Sequence, residues 1–235
     1  MGRKMEWAGK EKHMRGIPRK LVFLAVGAFA KAVATLLNTT SVHNADTLIR
    51  LVRSRPPGIP LLTVSNHILD DPLLWGFKGF PSLDANLARW VLSAEDICFK
   101  NYALTYFFRL GKCIPITRGA GIYQEHMNEA LQCLNNGAWL HTFPEGKVSQ
   151  EDAPIRRLKW GTASLIVRAH VTPIVLPMVH SGFEESSYAI KVYRHGFWLL
   201  NSFVDGVSCI RYLDQYAEVY YIWFSRSGSL KLGLH

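Results

Sequence analysis

This 235-residue sequence predicts an α/β fold, with a mostly parallel sheet flanked by helices. Three observations carry that expectation. Short apolar runs at 61–64, 113–118, 139–143 and 174–179 have strand length and are bounded by Gly, Pro, Asn or Asp. Stretches with helical spacing of apolar residues lie between them, and strands alternating with helices at short intervals favour parallel pairing. The notable polar residues also fall just after the strand-like runs, where an open parallel sheet gathers its ligands.

Size and composition narrow the function. A chain of this length that is 49% hydrophobic can bury one substantial core, and two domains are less expected. Lys and Arg number 27 against 18 Asp and Glu, a formal charge of +9, which favours anionic partners: nucleic acid, anionic lipid or a phosphorylated substrate. There is no zinc-finger spacing and no interleaving of basic and aromatic residues that would stack bases, so lipid or phosphate is preferred over nucleic acid. Cys98, Cys113, Cys133 and Cys209 are widely spaced with no C-x-x-C, which reads as free thiols.

Residues 1–20 are basic, with Arg3, Lys4, Lys10, Lys12, Arg15, Arg19 and Lys20 against Glu6 and Glu11. Residues 21–37 are apolar except for Lys31 and Thr35. As a helix at about 1.5 Å per residue they reach roughly 25 Å, short of the roughly 30 Å of a bilayer core. The basic flank and central Lys suit a segment lying in one leaflet. A buried core helix is the alternative; a cleaved secretory signal is weaker, because the charged lead is long and no small-x-small site follows.

Residues 38–55 read as a polar, helical connection ending at Pro56-Pro57-Gly58, a turn signal. The first strand, 61–64, leads into Asn66 and His67. Asp71 then suits a helix N-cap, with Pro72 at the first helical position and Leu73, Leu74, Trp75 and Phe77 as the apolar side. Residues 88–93 read as extended. Residues 97–110 have helical spacing and end at Gly111. The second strand, 113–118, exits at Arg118 and Gly119. Residues 122–134 are helix-like and close at Asn135-Asn136-Gly137. The third strand, 139–143, runs into Pro144-Glu145-Gly146-Lys147. Residues 155–170 are helical again, and 174–179 form the fourth strand. No internal repeat or low-complexity segment is present.

The strand exits make one candidate constellation of Asn66, His67, Asp70, Arg118, Glu145, Gly146 and Lys147. An imidazole at a strand end with a carboxylate nearby can act as base and orienter, because the carboxylate fixes the tautomer and leaves the other nitrogen able to take a proton. Arg118 offers a planar fork matched to phosphate oxygens. Gly146 lets backbone N–H groups approach an anion, and Lys147 adds charge. Taken singly, the His is an ordinary capped turn and Arg118 an ordinary surface ion pair; their recurrence after successive strands raises the functional reading.

His67 with its following Asp, the IPITRG of 114–119, the FPEG of 143–146 and the PIVLP of 173–177 resemble, in order, the four motif blocks of the glycerolipid acyltransferases. The flanks TVSNH, DDPLLWG, AEDICF, LGKCIPITRG, WLHTFPEGKVS and RLKWG look closest to the branch that moves acyl chains between phospholipids and lysophospholipids and remodels cardiolipin. The resemblance covers roughly residues 15–185. It implies that His67 is the general base, that Asp70 orients it, and that Asn66, Arg118, Glu145, Gly146 and Lys147 hold the substrate. Phospholipid and lysophospholipid would be the substrates, an anionic lipid surface the partner, and neither metal nor other cofactor would be needed. A mitochondrial membrane location, peripheral or monotopic and facing the intermembrane space, follows from the same resemblance. An acyl-CoA-dependent lysophosphatidate acyltransferase is the enzyme alternative, because it shares the four blocks.

Two departures stand out. The family separates its His and Asp by four residues, whereas here two separate His67 from Asp70 and three separate it from Asp71. A lipid-binding isoform with impaired catalysis is therefore the rival from another class. From about Ala189 the resemblance fades: residues 191–235 are rich in aromatics, including Tyr193, Phe197, Trp198, Tyr220, Tyr221, Trp223 and Phe224. They fit a divergent strand and helix, a membrane-facing tail or an alternative end that packs poorly. The expected organisation is a basic membrane-associated segment (1–40), an acyltransferase domain (41–190) and a divergent C-terminal segment (191–235).

Overall fold

The computed structural model of the protein describes residues 11–67, 71–146, 158–181 and 220–226. The element order is α1 (Glu11–Met14), α2 (Ile17–Ala32), a π-helical segment (Val33–Leu37), β1 (Asn38–Val42), α3 (Ala45–Ser54), β2 (Leu61–Ser65) and α4 (Asp71–Leu74). It continues with β3 (Trp90–Ala94), α5 (Glu95–Cys98), α6 (Tyr102–Leu110), β4 (Cys113–Ile116) and α7 (Glu125–Asn135). The last described elements are β5 (Trp139–Thr142), α8 (Trp160–Arg168), β6 (Ile174–Ser181) and β7 (Tyr220–Arg226). The strands form one sheet in the order β1-β7-β6-β2-β5-β3-β4. Every neighbouring pair runs parallel except β1 with β7. The expected mostly parallel α/β sheet is therefore present.

Alternation along the central strands makes two cores. Leu61, Trp139, Leu176 and Met178 face one side, where Ala34, Leu48, Val52, Leu74, Trp75, Phe77 and Phe80 cover them. Leu62, Val64, Ile114 and Leu140 face the other, under Met127, Ala130 and Leu134 of α7 and Leu165 of α8. Burial on both faces is why β2 and β5 open with consecutive apolar residues, Leu61-Leu62 and Trp139-Leu140.

Helix α2 packs closely on the first side. A Cβ built on Gly27 would sit 2.5 Å from the Ser82 carbonyl oxygen, and one on Gly76 would sit 2.2 Å from that of Ala30. Only glycine permits these backbone approaches. Lys31 adds a bond from Nζ to the Phe80 carbonyl (3.0 Å). Phe23, Gly27 and Ala30 face inward, whereas Ile17, Leu21, Leu24 and Phe29 face outward at 52–71% exposure. Among the described residues, no helix is long and apolar enough to cross a membrane.

Several local expectations are corrected. The connection at 38–55 begins with a strand, β1, before α3 starts. Among the described residues its polar NTTSV sequence pairs with β7, nearly two hundred residues away in the chain, so no local pattern could announce the pairing. The apolar run at 21–37 is not one regular helix: α2 starts earlier, with Pro18 in its first turn, and gives way to π-helix at Val33. The stretch at 97–110 divides in two, because Asn101 caps a new helix by accepting the Leu104 N–H (3.0 Å). Asp71 begins α4 rather than preceding it, and Trp75 and Phe77 are buried just beyond that short helix. Strand β1 pairs with β7, which comes from the aromatic-rich segment 191–235.

Candidate active site

The parallel strands end together, and two neighbouring exits meet in direct contact. The register of β2 with β5 pairs Thr63 with His141 and Val64 with Thr142. Beyond the strands, the His67 ring stacks on Phe143 with centroids 4.1 Å apart and planes inclined by 16°. The backbone N–H of His67 donates to Oε1 of Glu145 at 3.2 Å. Asn66 and Glu145 are buried, both at 7% exposure, and His67 is half-buried. A buried carboxylate and an aromatic face thus fix the backbone and the ring plane of the candidate base.

Gly146 turns the chain away with φ of +65°, and its N–H closes on the Phe143 carbonyl (2.9 Å). The side chain of Lys159 lies over this glycine, and a Cβ there would come 2.6 Å from Nζ. The Lys159 N–H also bonds to the Pro144 carbonyl (2.8 Å). Lys159 is thus a cation at the Phe-Pro-Glu-Gly turn that sequence reasoning missed as a site residue. The signal available was its place in RLKWG, one of the flanks quoted for the resemblance.

A hydrogen-bond chain runs behind the exits, with one consistent direction. Trp139 Nε1 donates to Thr63 Oγ1 (2.9 Å), so the Thr63 hydroxyl proton can go to Nδ1 of His141 (2.8 Å). His141 then carries its proton on Nε2, which faces Ser65 Oγ (3.3 Å), and Ser65 donates to the Asn66 carbonyl (3.1 Å). Thr63, Ser65 and His141 are fully buried. The edge of His141 also meets Phe143 (centroids 4.5 Å, planes 89° apart), the ring on which His67 rests. His141 thereby ties β2 to β5 immediately behind the site.

The other exits lie further along the same edge. Arg118 follows β4, three strands from β2 and roughly 14 Å away at about 4.8 Å per strand. Its guanidinium grips Asp96 of α5 with two bonds, Nε to Oδ1 at 3.1 Å and Nη2 to Oδ2. Arg118 in turn holds the Asp96 carboxyl below the usual carboxylate range. Thr117 donates to Glu95 Oε2 (2.7 Å), and Gln124 accepts the Thr117 N–H (2.9 Å), which shapes the loop between them. Asp71 is engaged elsewhere: it accepts from Trp75 Nε1 (2.8 Å) and Arg89 Nε (3.0 Å) and pairs with Arg89 as a buried counter-ion. Asp70 and Lys147 lie outside the described residues.

Among the described residues no group of His, Cys, Asp or Glu is placed to hold a metal ion. Cys98, Cys113 and Cys133 form no disulfide. Burial raises the Cys113 thiol and pushes Cys133 up to about 12, so both stay protonated. Cys209 lies outside the described residues. What the exits assemble is an imidazole on a rigid mount, with Lys159 over the neighbouring turn and Arg118 further along the edge, an arrangement suited to proton transfer beside an anion.

Comparison with known proteins follows this geometry. The family model described as acyltransferase matches residues 40–181. The chain is similar to the N-acylphosphatidylethanolamine synthase of Arabidopsis thaliana, with 71% identity over 188 residues, which are 79% of this chain and 66% of that protein. It is similar to the tafazzin of Drosophila melanogaster, with 44% identity over 177 residues, 74% of this chain and 47% of that protein. It is also similar to the taffazin of Dictyostelium discoideum, with 37% identity over 211 residues, 85% of this chain and 73% of that protein. The chain therefore spans between about half and two-thirds of the length of the first two relatives.

Proposed function

The chain belongs to the acyltransferase family, with the tafazzins among its relatives, and from that premise we propose that it moves acyl chains between phospholipids. His67 takes the proton from a lysophospholipid hydroxyl as that oxygen attacks the ester carbonyl of a donor phospholipid. The tetrahedral adduct collapses, the donor's glycerol oxygen leaves, and His67 returns the proton to it. The acceptor gains an ester, the donor becomes a lysophospholipid, and no other reactant is consumed. Asp70 orients the ring. Asn66, Arg118, Glu145, Gly146 and Lys147 hold the glycerophosphate part, with Lys159 added to that set by its position over Gly146. The Arg118–Asp96 pair is exposed and therefore weak, so a phosphate can displace Asp96 from the guanidinium. The observation that carries this reading is the joining of two motif blocks at one point, His67 stacked on Phe143 and held by Glu145.

Membrane contact completes the proposal. The outward face of α2 presents Ile17, Leu21, Leu24 and Phe29, whose insertion among acyl chains is worth about 4–7 kcal/mol together. Arg15 and Lys20 stand exposed at the same end of the helix, where an anionic surface would meet them. Cardiolipin remodelling at a mitochondrial membrane, from the intermembrane-space side, is the specific form supported by the tafazzin likeness. In this reading the N-terminal 40 residues serve the membrane and residues 41–190 the chemistry.

A second reading rests on the 71% identity to a protein named for making N-acylphosphatidylethanolamine. There the acceptor is the amine of phosphatidylethanolamine, and the same base removes its proton. Acyl exchange in liposomes separates these readings. Labelled phosphatidylcholine is offered with monolysocardiolipin or with phosphatidylethanolamine, with and without acyl-CoA. Ester product without CoA supports phospholipid transacylation, and amide product supports the second reading. A strict need for acyl-CoA identifies a lysophosphatidate-type acyltransferase. No product from folded protein under any of these conditions identifies an isoform that only binds lipid.

A further inference from the structure

The edge of the sheet opposite His67 holds a cavity of about 130 Å³ that neither reading uses. At about 30 Å³ per water it has room for roughly four waters or one tetrahedral oxyanion. It lies where the parallel strands begin, roughly 16 Å from their exits at about 3.3 Å per residue. Arg55, Asn86, Trp90, Lys112 and Trp139 line it, with the backbone of Ala88.

Arg55 and Lys112 bring positive charge to its wall, and Lys112 joins it to a neighbouring cluster of cations. Lys112 is 9% exposed, and its Nζ donates to the Ala88 carbonyl (2.8 Å), one of three donors it carries. Its ammonium lies 5.9 Å from the Phe23 ring and 6.0 Å from that of Trp90. The guanidinium of Arg19 is 5.3 Å from Trp90 and that of Arg89 6.0 Å from Phe23, so three cations share two rings. Among the described residues Arg89 has Asp71 as counter-ion, while Arg19 and Lys112 make no ion pair. Arg19 instead donates to the Leu110 and Arg109 carbonyls (3.0 Å each). Burial and the neighbouring Arg19 and Arg89 push the Lys112 ammonium down to about 7, with Cys133 and Asp84 acting in the opposite sense. Lys112 also holds a left-handed backbone (φ 60°), which Gly or Asn would adopt at lower cost. A lysine kept in a strained conformation and buried beside other cations is expensive for folding, and among the described residues it makes no ion pair.

We propose that this cavity is an anion site, built by Lys112 and Arg55, that takes a phosphate-type oxyanion. Arg55 uses three of its five N–H groups on the Ile59, Leu51 and Gly137 carbonyls, which fixes its guanidinium at the wall. Lys112 supplies the charge-assisted bonds inside, and Asn86 stands at the exposed rim. The site is separate from the acyl-transfer edge, so it stands or falls independently of the proposed reaction.

Thermal unfolding of the full chain in detergent tests it, with millimolar inorganic phosphate added at ionic strength held constant by chloride. A bound anion raises the midpoint along a saturating curve, because ligand that binds only the folded state stabilises by mass action. In an Arg118→Gln background, which removes a phosphate contact from the acyl-transfer edge, the response falls at least tenfold in Lys112→Met and survives in Lys112→Arg. Asn86→Asp puts a negative charge on the exposed rim and weakens binding at least fivefold, which keeps the test available should Lys112→Met fail to fold. Glycerol 3-phosphate and vesicles containing phosphatidic acid then compete with phosphate. Displacement by the soluble ester alone assigns a free phosphate ester, and displacement by vesicles assigns a lipid headgroup. A response that does not saturate, or that persists undiminished in Lys112→Met or Asn86→Asp, overturns the proposal.

Discussion

Substitution of His141 by Phe keeps a planar ring beside Trp75 and Phe143 but removes both ring nitrogens from the chain behind the site. The Thr63 hydroxyl still accepts from Trp139 yet loses the acceptor for its own proton, and Ser65 loses a donor. An orphaned buried hydroxyl costs about 1–3 kcal/mol, and the second lost bond about 0.5–1.5 kcal/mol. His141→Phe should therefore lose about 2–4 kcal/mol in urea unfolding and, for a chain of this size, roughly 4–16 °C in midpoint. Thr63→Val removes the other end of the first bond, and the double variant should be less damaged than the sum of the singles by about 1 kcal/mol. Additive effects would mean that Thr63 and His141 are not coupled, and a His141→Phe variant as stable as wild type would refute the hydrogen-bond chain. His141→Gln, which returns a donor near Ser65, should recover part of the loss.

Gly27→Ala should cost about 1–3 kcal/mol in the same unfolding assay, because its Cβ meets the Ser82 backbone rather than a movable side chain. Leu21→Gln with Leu24→Gln removes about 2–3 kcal/mol of lipid contact, so vesicle co-sedimentation should weaken by thirtyfold or more while folding is retained. Lys112 provides a pH prediction. Its pKa falls from 10.5 unfolded to about 7 folded, so the unfolded chain binds more protons between those values and stability rises with pH across that window. The stability advantage of Lys112→Met over wild type should be largest below pH 7 and shrink by pH 10. Arg19, Arg89, Cys133 and Asp84 face the same ammonium, and a gap that widened with pH would contradict this assignment.

Central strands announced themselves, because burial on both faces puts apolar residues at consecutive positions such as Leu61-Leu62 and Trp139-Leu140, and so did the turns at Pro56-Pro57-Gly58 and Asn136-Gly137. Strand β1 did not, since the partner through which Thr39 and Thr40 join the sheet lies far away in the chain. The strand exits were legible as places where His67 and Glu145 would collect, but their contact depends on the register of β2 on β5, which no single segment encodes. Arg118 lies just beyond β4, and its grip on Asp96 needed the α5 turn to be placed. Lys112 carried no sequence signal beyond being a lysine before a strand; its interest comes from burial beside Arg19 and Arg89. His141 was hidden for the opposite reason: inside an apolar strand it passes for a packed core residue, and only the hydroxyls across the sheet show its role.

We propose that His67 still acts as a base although its loop to Asp70 is two residues shorter than the family pattern. A displacement of about 1 Å would cost around a hundredfold in rate, so activity reports directly on geometry. The decisive measurement is acyl exchange between labelled phosphatidylcholine and monolysocardiolipin in CoA-free liposomes, with wild type and His67→Ala at equal folded concentration. The account predicts transfer by wild type and a loss of at least a hundredfold in the variant. Equal transfer by both proteins, or none by folded wild type, would contradict it.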